Sequence, residues 1–396
     1  MKKTGGGHVP AFAMIVCATV LGIAGTDLVL PAVPALPKVL GGTLERAQLV
    51  LAAFVAGSAF GLLLFGSLGA RFDQRALLVG SLVAYGLISG LAGMSPSLEA
   101  LIGLRFLQGA AGSAAAVFAP GIIRELFGDQ RAVSALGFLG SVEALTPALA
   151  PVAGLWLIQL FGWNASFEVI ACLALLLAVA IAAWHRHIPA VVTSRKGGGY
   201  RHLLTDAVFL RYAVSHAFTL GALLVLVFGA PTVFVVALGA TLTNFIIMQM
   251  TGIATFIVAA NLTGQLARRF GAERMIWIGT LLSAAGAVAM LAYALFGGAD
   301  VLMITALFVP FNTGLGLRGP PGFHLAVVAA RGDDARGAAL VVVAILVTTA
   351  IGTAGVAPFI TVGLTPVASC AATLALASVA LLMLLPSLKV QMGSAG

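Results

Sequence analysis

Twelve apolar runs decide what this chain can fold into. They cover residues 9–33, 47–68, 76–94, 98–120, 133–159, 165–184, 208–236, 243–266, 274–296, 300–326, 337–360 and 365–386. A helix needs about 20 apolar residues to cross a hydrocarbon core ~30 Å thick, and each run is near or beyond that length. Lipid offers the backbone no hydrogen bonds, so such segments close their own as helices. Composition agrees: 61% of residues are hydrophobic and 9% are charged, against about 25% charged in a soluble domain. The expected fold class is an all-α, polytopic membrane protein. The net charge of +8 is spread through short loops and forms no patch for nucleic acid. Lys2 and Lys3 ahead of the first run imitate a signal peptide. The run is too long for one and lacks a small-residue cleavage site, so a retained first helix is expected.

The connections are short except for residues 185–206, which carry Arg186, Arg195, Lys196, Gly197-Gly198-Gly199 and Arg201. This basic, Gly-rich stretch reads as a flexible linker between two six-helix bundles, 1–184 and 207–396. Alternate loops hold Arg71 and Arg75, Arg124 and Arg131, the linker cluster, Arg268, Arg269 and Arg274, and Arg331 and Arg336; the opposite loops hold Lys38 and Arg46. Basic residues stay on the cytoplasmic side, so both termini and the linker are expected there. The halves also repeat. Gly66-Ser67-Leu68-Gly69-Ala70-Arg71-Phe72 matches Gly264-Gln265-Leu266-Ala267-Arg268-Arg269-Phe270 at an offset of 264 − 66 = 198. Paired six-helix halves are the signature of a secondary transporter with its site between them.

Within this apolar frame a few residues stand out. Asp27 follows a stretch with no charge from Val9 onward. A carboxylate there costs ~2.5–3.5 kcal/mol on insertion scales, so it is expected to face a cavity or a partner. Pro31 and Pro34, at i+4 and i+7, would share its helical face. The competing reading is an interfacial Asp ended by prolines. Gly66, Arg71, Asp73 and Arg75 follow the second run, where glycine allows a tight turn; plain topology arginines are the competing reading. Arg105, Gln108, Gly109 and Gly112 fall at i, i+3, i+4 and i+7 in the fourth run, one small-residue face. Arg105 lies about 10 Å in from its helix start, at the depth of Asp27. An Asp27–Arg105 interaction, direct or through water, is expected; a snorkelling arginine is the competitor. Glu143, Pro147, Pro151 and Gly154 form one stripe of the fifth run, a kinked seam with a mid-bilayer acid. Glu143 is either a second titrating group or a protonated packing residue.

The second half says less. Gly314–Gly322, with its glycines and prolines, suggests a broken helix around Arg318. Snorkelling is the reading adopted for Arg318, and an anion or substrate contact is the second. His216 and His324 read as satisfied packing residues. Asn244, Gln249 and Asn261 are expected to bond across helices or line a cavity. Cys17, Cys172 and Cys370 read as buried small residues, with no disulfide and no metal site.

These motifs resemble the major facilitator superfamily, and within it the twelve-helix drug:proton antiporters of the Bcr/CflA and chloramphenicol/florfenicol exporter group. Asp27 with Pro31 and Pro34 is similar to that group's first-helix motif, and the resemblance implies a cavity acid for protonation or cationic substrate. Gly66-x-Leu68-x-x-Arg71-x-x-x-Arg75 is similar to its loop 2–3 motif, with Ala70 where the family has Asp and Asp73 where it has Gly. The departure puts the family's charge relay in question, with Asp73 as a shifted substitute. Arg105–Gly112 resembles the fourth-helix motif of proton-coupled members. Ala150-Pro151-x-x-Gly154 is similar to the antiporter motif, which does not require an acid at Glu143.

The expected function is export of small amphipathic compounds in exchange for protons by alternating access. The alternative is proton-coupled uptake of a single small metabolite. No nucleophile–base pair or cluster of metal ligands supports an enzyme. The expected partners are protons, a lipophilic or cationic to zwitterionic drug-like substrate and membrane lipids, with no nucleic acid and no cofactor, acting on a monomer.

Overall fold

The computed structural model describes residues 8–69, 71–189, 200–331 and 334–388. Ala70, residues 190–199 of the expected linker and Lys2 and Lys3 lie outside the described residues. Twelve segments are long and apolar enough to cross a membrane. They are α1 (His8–Leu40), α2 (Leu44–Leu68), α3 (Gln74–Gly93), α4 (Leu98–Gly128), α5 (Ala135–Phe161), α6 (Ala165–Ala183), α7 (Ala207–Ala237), α8 (Leu242–Phe270), α9 (Ala272–Leu295), α10 (Val301–Ala329), α11 (Arg336–Val362) and α12 (Leu364–Leu384). No strand occurs among the described residues. The protein is a multi-pass, all-α membrane protein. One end differs from expectation: α4 runs past 120 to Gly128, where φ turns to 70°.

The chain forms two compact units, Met1–Lys196 and Gly197–Gly396. In the first, α1 packs on the stretch that holds α5, α2 on α4, and α3 on α6. In the second, α7 packs on α11, α8 on α10, and α9 on α12. The internal pairing therefore repeats six helices later. Side chains cap many helix starts: Thr43, Asp73, Ser97, Asp206, Thr241 and Asp300 each accept a backbone N–H of the first turn. These caps satisfy donors that otherwise have no intrahelical partner.

Small residues set how close the helices come. A Cβ on Gly57 would stand 1.9 Å from Phe106 O, and one on Gly109 2.0 Å from Phe54 O. The backbones of α2 and α4 are thus in contact, as small-residue faces allow in lipid. Ser58 Oγ donates to Gly109 O across that crossing at 3.3 Å. In the second unit Gly279 and Gly314 face each other, and a Cβ on Gly316 would lie 2.6 Å from Phe256 O. This corrects the expectation of a broken tenth helix: α10 is helical throughout Val301–Ala329. Its glycines are spent on crossings, and the packed neighbours accommodate Pro310, Pro320 and Pro321 within the helix.

The motif after α2 closes differently from expectation. Gly66 lies inside the last turn of α2, and the chain leaves the helix at Gly69, where a Cβ would lie 2.5 Å from Phe118 Cε1. Asp73 caps its own helix and pairs with Arg75 at 3.2 Å, which uses its carboxylate locally. Arg75 Nη1 donates to His185 O at 2.5 Å and Ile188 O at 3.1 Å, just beyond α6. Arg71 is exposed. In the second unit position 75 + 198 is Glu273. It receives Arg211 Nη2 at 2.5 Å and Tyr212 Oη at 2.8 Å, while Arg211 also donates to Leu382 O and Leu385 O at the end of α12.

Gly57→Val should separate α2 from α4, since overpacking a tight contact costs about 1–3 kcal/mol or more. A drop of several degrees in the Tm of the solubilised protein is expected. Gly80→Ala, where a Cβ meets nothing within 4 Å, is the control and should leave Tm level or higher. Equal Tm values for the two variants would refute the contact.

Candidate functional site

The first unit is built around an interruption of α1. The α-helix ends at Asp27, a 3₁₀ segment spans Leu30–Ala35, and α-helix resumes over Leu36–Leu40. Proline has no N–H, so Pro31 and Pro34 cannot donate to the carbonyls four residues earlier. The chain tightens instead: Val29 N–H bonds Thr26 O at 3.1 Å and Ala32 N–H bonds Val29 O at 2.9 Å. Gly25 O and Leu28 O thereby lose their regular helical partners. Arg105 Nη1 from α4 donates to Gly25 O at 2.8 Å, and Ser166 Oγ from α6 donates to Leu28 O at 3.0 Å. Tyr85 Oη from α3 adds a bond to Leu21 O at 3.1 Å. The expected shared helical face of Asp27, Pro31 and Pro34 is corrected, because the α-helical spacing stops at Asp27.

Asp27 is 7% exposed and has no hydrogen-bond or ion-pair partner among the described residues. Arg105 does not pair with it directly. The guanidinium is fully buried, which also removes the snorkelling alternative. It bonds Gly25 O, Gln108 Oε1 at 2.7 Å and Val50 O at 3.3 Å, and lies over the Phe54 ring at 4.1 Å. Geometry explains the missing pair. The Cβ direction of Gly25 points at Tyr85 Oη and Phe54, the side where Arg105 stacks. A side chain two residues on leaves the helix about 200° round. Gln108 continues the chain of bonds, with Nε2 donating to Ser89 Oγ at 2.7 Å and Ser89 Oγ to Tyr85 O at 2.6 Å.

The stripe on α5 faces α1. Glu143, half-buried, lies beside Thr19 of α1, whose hydroxyl donates to Val16 O. A Cβ on Gly154 would lie 2.3 Å from Leu28 O, so α5 presses on the carbonyl of the residue after Asp27. Pro151 is buried and Pro147 half-buried on the same helix. On α4, Gly109 serves the α2 crossing, and Gly112 approaches Gly22 of α1, whose Cβ would meet Gly112 O at 2.7 Å. Tyr85, Ser89, Phe54 and Ser166 escaped the sequence reading. Polar side chains inside apolar runs were the available signal, with Tyr85 and Ser89 one helical turn apart.

Several expectations for the second unit, and for the cysteines of both units, are corrected. Arg318 does not snorkel; it is fully buried. Its Nη1 donates to Ser215 O at 2.8 Å, to Thr219 Oγ1 and to Ser378 Oγ at 3.0 Å, so α7 and α12 hold it inside the unit. His216 is buried with Nδ1 unpartnered, its ring against Phe323, whereas His324 is exposed. Asn244 caps its own helix in a box with Thr241, and Asn261 bonds Ile257 O one turn back. Cys17 and Cys172 are exposed on their helices and Cys370 is half-buried, since an apolar run has a lipid-facing side as well as a buried one. Among the described residues no three His, Cys, Asp or Glu side chains come together to hold a metal.

Chemically, the first unit offers a buried, unpaired carboxylate at the break of α1, a second acid on α5, and a buried arginine fixed on backbone carbonyls. Residues 15–356 match the model of the Major Facilitator Superfamily. A chloramphenicol resistance protein of Pseudomonas aeruginosa is 30% identical over 67% of this chain and 64% of its own. A bicyclomycin resistance protein homologue of Haemophilus influenzae is 27% identical over 64% of this chain and 65% of its own. The matched region thus spans just under two thirds of each relative. In fold the chain is similar to the POT family transporter PepTSo, with TM-score 0.74 and 10% identity over 94% of this chain and 97% of that one. It is also similar to a bacterial homologue of the human lysosomal transporter Spinster, with TM-score 0.69 and 11% identity over 97% and 96%. The chain belongs to the Major Facilitator Superfamily of transporters.

Proposed function

We propose that the protein exports small, amphipathic, drug-like compounds in exchange for protons across a bacterial inner membrane, with both termini cytoplasmic. The observation that carries this reading is Asp27: a carboxyl group buried in a membrane helix, 7% exposed, with neither an ion pair nor a hydrogen bond among the described residues. An acid in that setting is retained for work on protons or cations. Two relatives are named for resistance to chloramphenicol and bicyclomycin, which favours drug-like cargo moving outward. The alternative, proton-coupled uptake of one metabolite, draws on the same acid and lacks that support. Glu143 is the second acid, placed to tune cation preference, and protons, drug-like substrate and lipid are the partners of a monomer.

The energetic logic is competition. A proton entering down its gradient neutralises Asp27, substrate leaves outward, and the neutral site returns. Substrate and proton must differ in affinity for the two facing states, because equal affinity shifts nothing. Arg105 contributes by holding Gly25 O, so the carboxyl two residues on keeps its place in the break.

Asp27→Asn keeps size and hydrogen-bonding capacity and cannot titrate. It should insert normally and keep downhill exchange of a neutral substrate while losing export driven by a pH gradient in everted vesicles. Gradient-driven export at the wild-type rate, at matched expression, would remove Asp27 and leave Glu143 as the coupling acid. Glu143→Gln should keep uphill export of neutral compounds and lower the preference for cations; an unchanged ratio across pH would return Glu143 to packing. An impermeant thiol reagent should fail to label Gly197→Cys in intact cells and succeed after lysis, and labelling before lysis would invert the orientation.

A further inference from the structure

The carbonyl of Leu28, the residue after Asp27, is held from two sides. Ser166, 2% exposed near the start of α6, donates its Oγ proton to Leu28 O at 3.0 Å. From α5, Gly154 presses on the same carbonyl, so closely that a Cβ would come within 2.3 Å of it. A hydroxyl in the first turn of a helix commonly serves that helix's own free N–H groups. This one does not, and the start of α6 at Asn164 has no side-chain cap bond. Leu28 O has lost its helical donor, because Ala32 N–H goes to Val29 O. Ser166 is therefore the polar partner that lets the break stay open immediately beyond the carboxyl group.

We propose that Ser166 is a positioning residue for Asp27, fixing the Asp27–Leu28 segment by its bond to Leu28 O against the surface of Gly154. This deepens the reading of Asp27 as the coupling acid and rests on it for its consequence in transport, but the geometry is independent of cargo and direction. Without the hydroxyl, Leu28 O is a buried acceptor with no donor from α6, and the segment shifts to find one. The Asp27 side chain moves with it, whereas Glu143, on α5 and outside the segment that Ser166 holds, does not.

The test uses the full-length protein in proteoliposomes and N,N′-dicyclohexylcarbodiimide, an apolar reagent for carboxyl groups within membranes, with labelling rates at Asp27 and Glu143 read separately by mass spectrometry. Ser166→Ala should change the rate at Asp27 about fivefold, the scale set by one buried hydrogen bond, with the rate at Glu143 unchanged and Tm lowered by no more than a few degrees. Ser166→Thr, which keeps the hydroxyl, should restore the wild-type rate. An unchanged rate at Asp27, a parallel change at both acids with a lowered Tm, or no rescue by threonine would each overturn the proposal. Because labelling reads the surroundings of Asp27 and not transport, failure of Asp27 as the coupling acid would leave this result standing.

Discussion

An unbonded carbonyl in lipid costs several kcal/mol, and the first unit is arranged around paying that cost at one place. Two prolines open α1, and the donors that meet the freed carbonyls come from different helices: Arg105 on α4 for Gly25 O and Ser166 on α6 for Leu28 O. Tyr85 on α3 adds its bond to Leu21 O. Close packing brings those donors into range. Gly57 and Gly109 seat α4 on α2, which places Arg105 over Phe54 and against α1. The position of Asp27 follows from this arrangement, since its carboxyl group sits at the last α-helical residue before the gap.

The fold was largely legible in the sequence because lipid imposes one strong rule, and run length with charge spacing reports it directly. The candidate site was legible in part. Asp27, Arg105 and the α5 stripe stood out as polar or proline-rich positions in apolar runs, and Arg105 does reach α1. That it takes a carbonyl and leaves Asp27 alone was not readable, because helical periodicity was carried through Pro31 and Pro34, where the winding changes. Ser166 was hidden for a different reason: serine is common in membrane helices, and only the missing donor at Leu28 O gives it meaning. Arg318 misled because depth along a helix says nothing of which side faces protein, and Ser215, Thr219 and Ser378 enclose it.

The two units repeat their internal pairing and diverge in chemistry. Pro31 in α1 and Pro231 in α7 are 231 − 31 = 200 positions apart, and α7 also loosens there, into a π-helical turn over Val233–Ala237. At that offset Asp27 corresponds to Val227. Each unit also uses an arginine to hold carbonyls at or just beyond the end of its last helix, Arg75 in the first and Arg211 in the second. At the position equivalent to Arg75 the second unit has the carboxylate of Glu273, paired with Arg211. A common frame has thus been kept while only one copy retains an acid at the proline break.

The broken first helix also bears on how the chain is made. Helices emerge from synthesis in order, and α1 comes first. The residues that bond Gly25 O and Leu28 O lie 80 and 138 positions later. Until α4 and then α6 have entered the membrane, the side chains that hold Gly25 O and Leu28 O in the finished unit are absent, and Val29 N–H and Ala32 N–H are the donors within reach of those carbonyls. The winding around Asp27 in the finished unit therefore depends on side chains made well after the segment itself, the last of them Ser166.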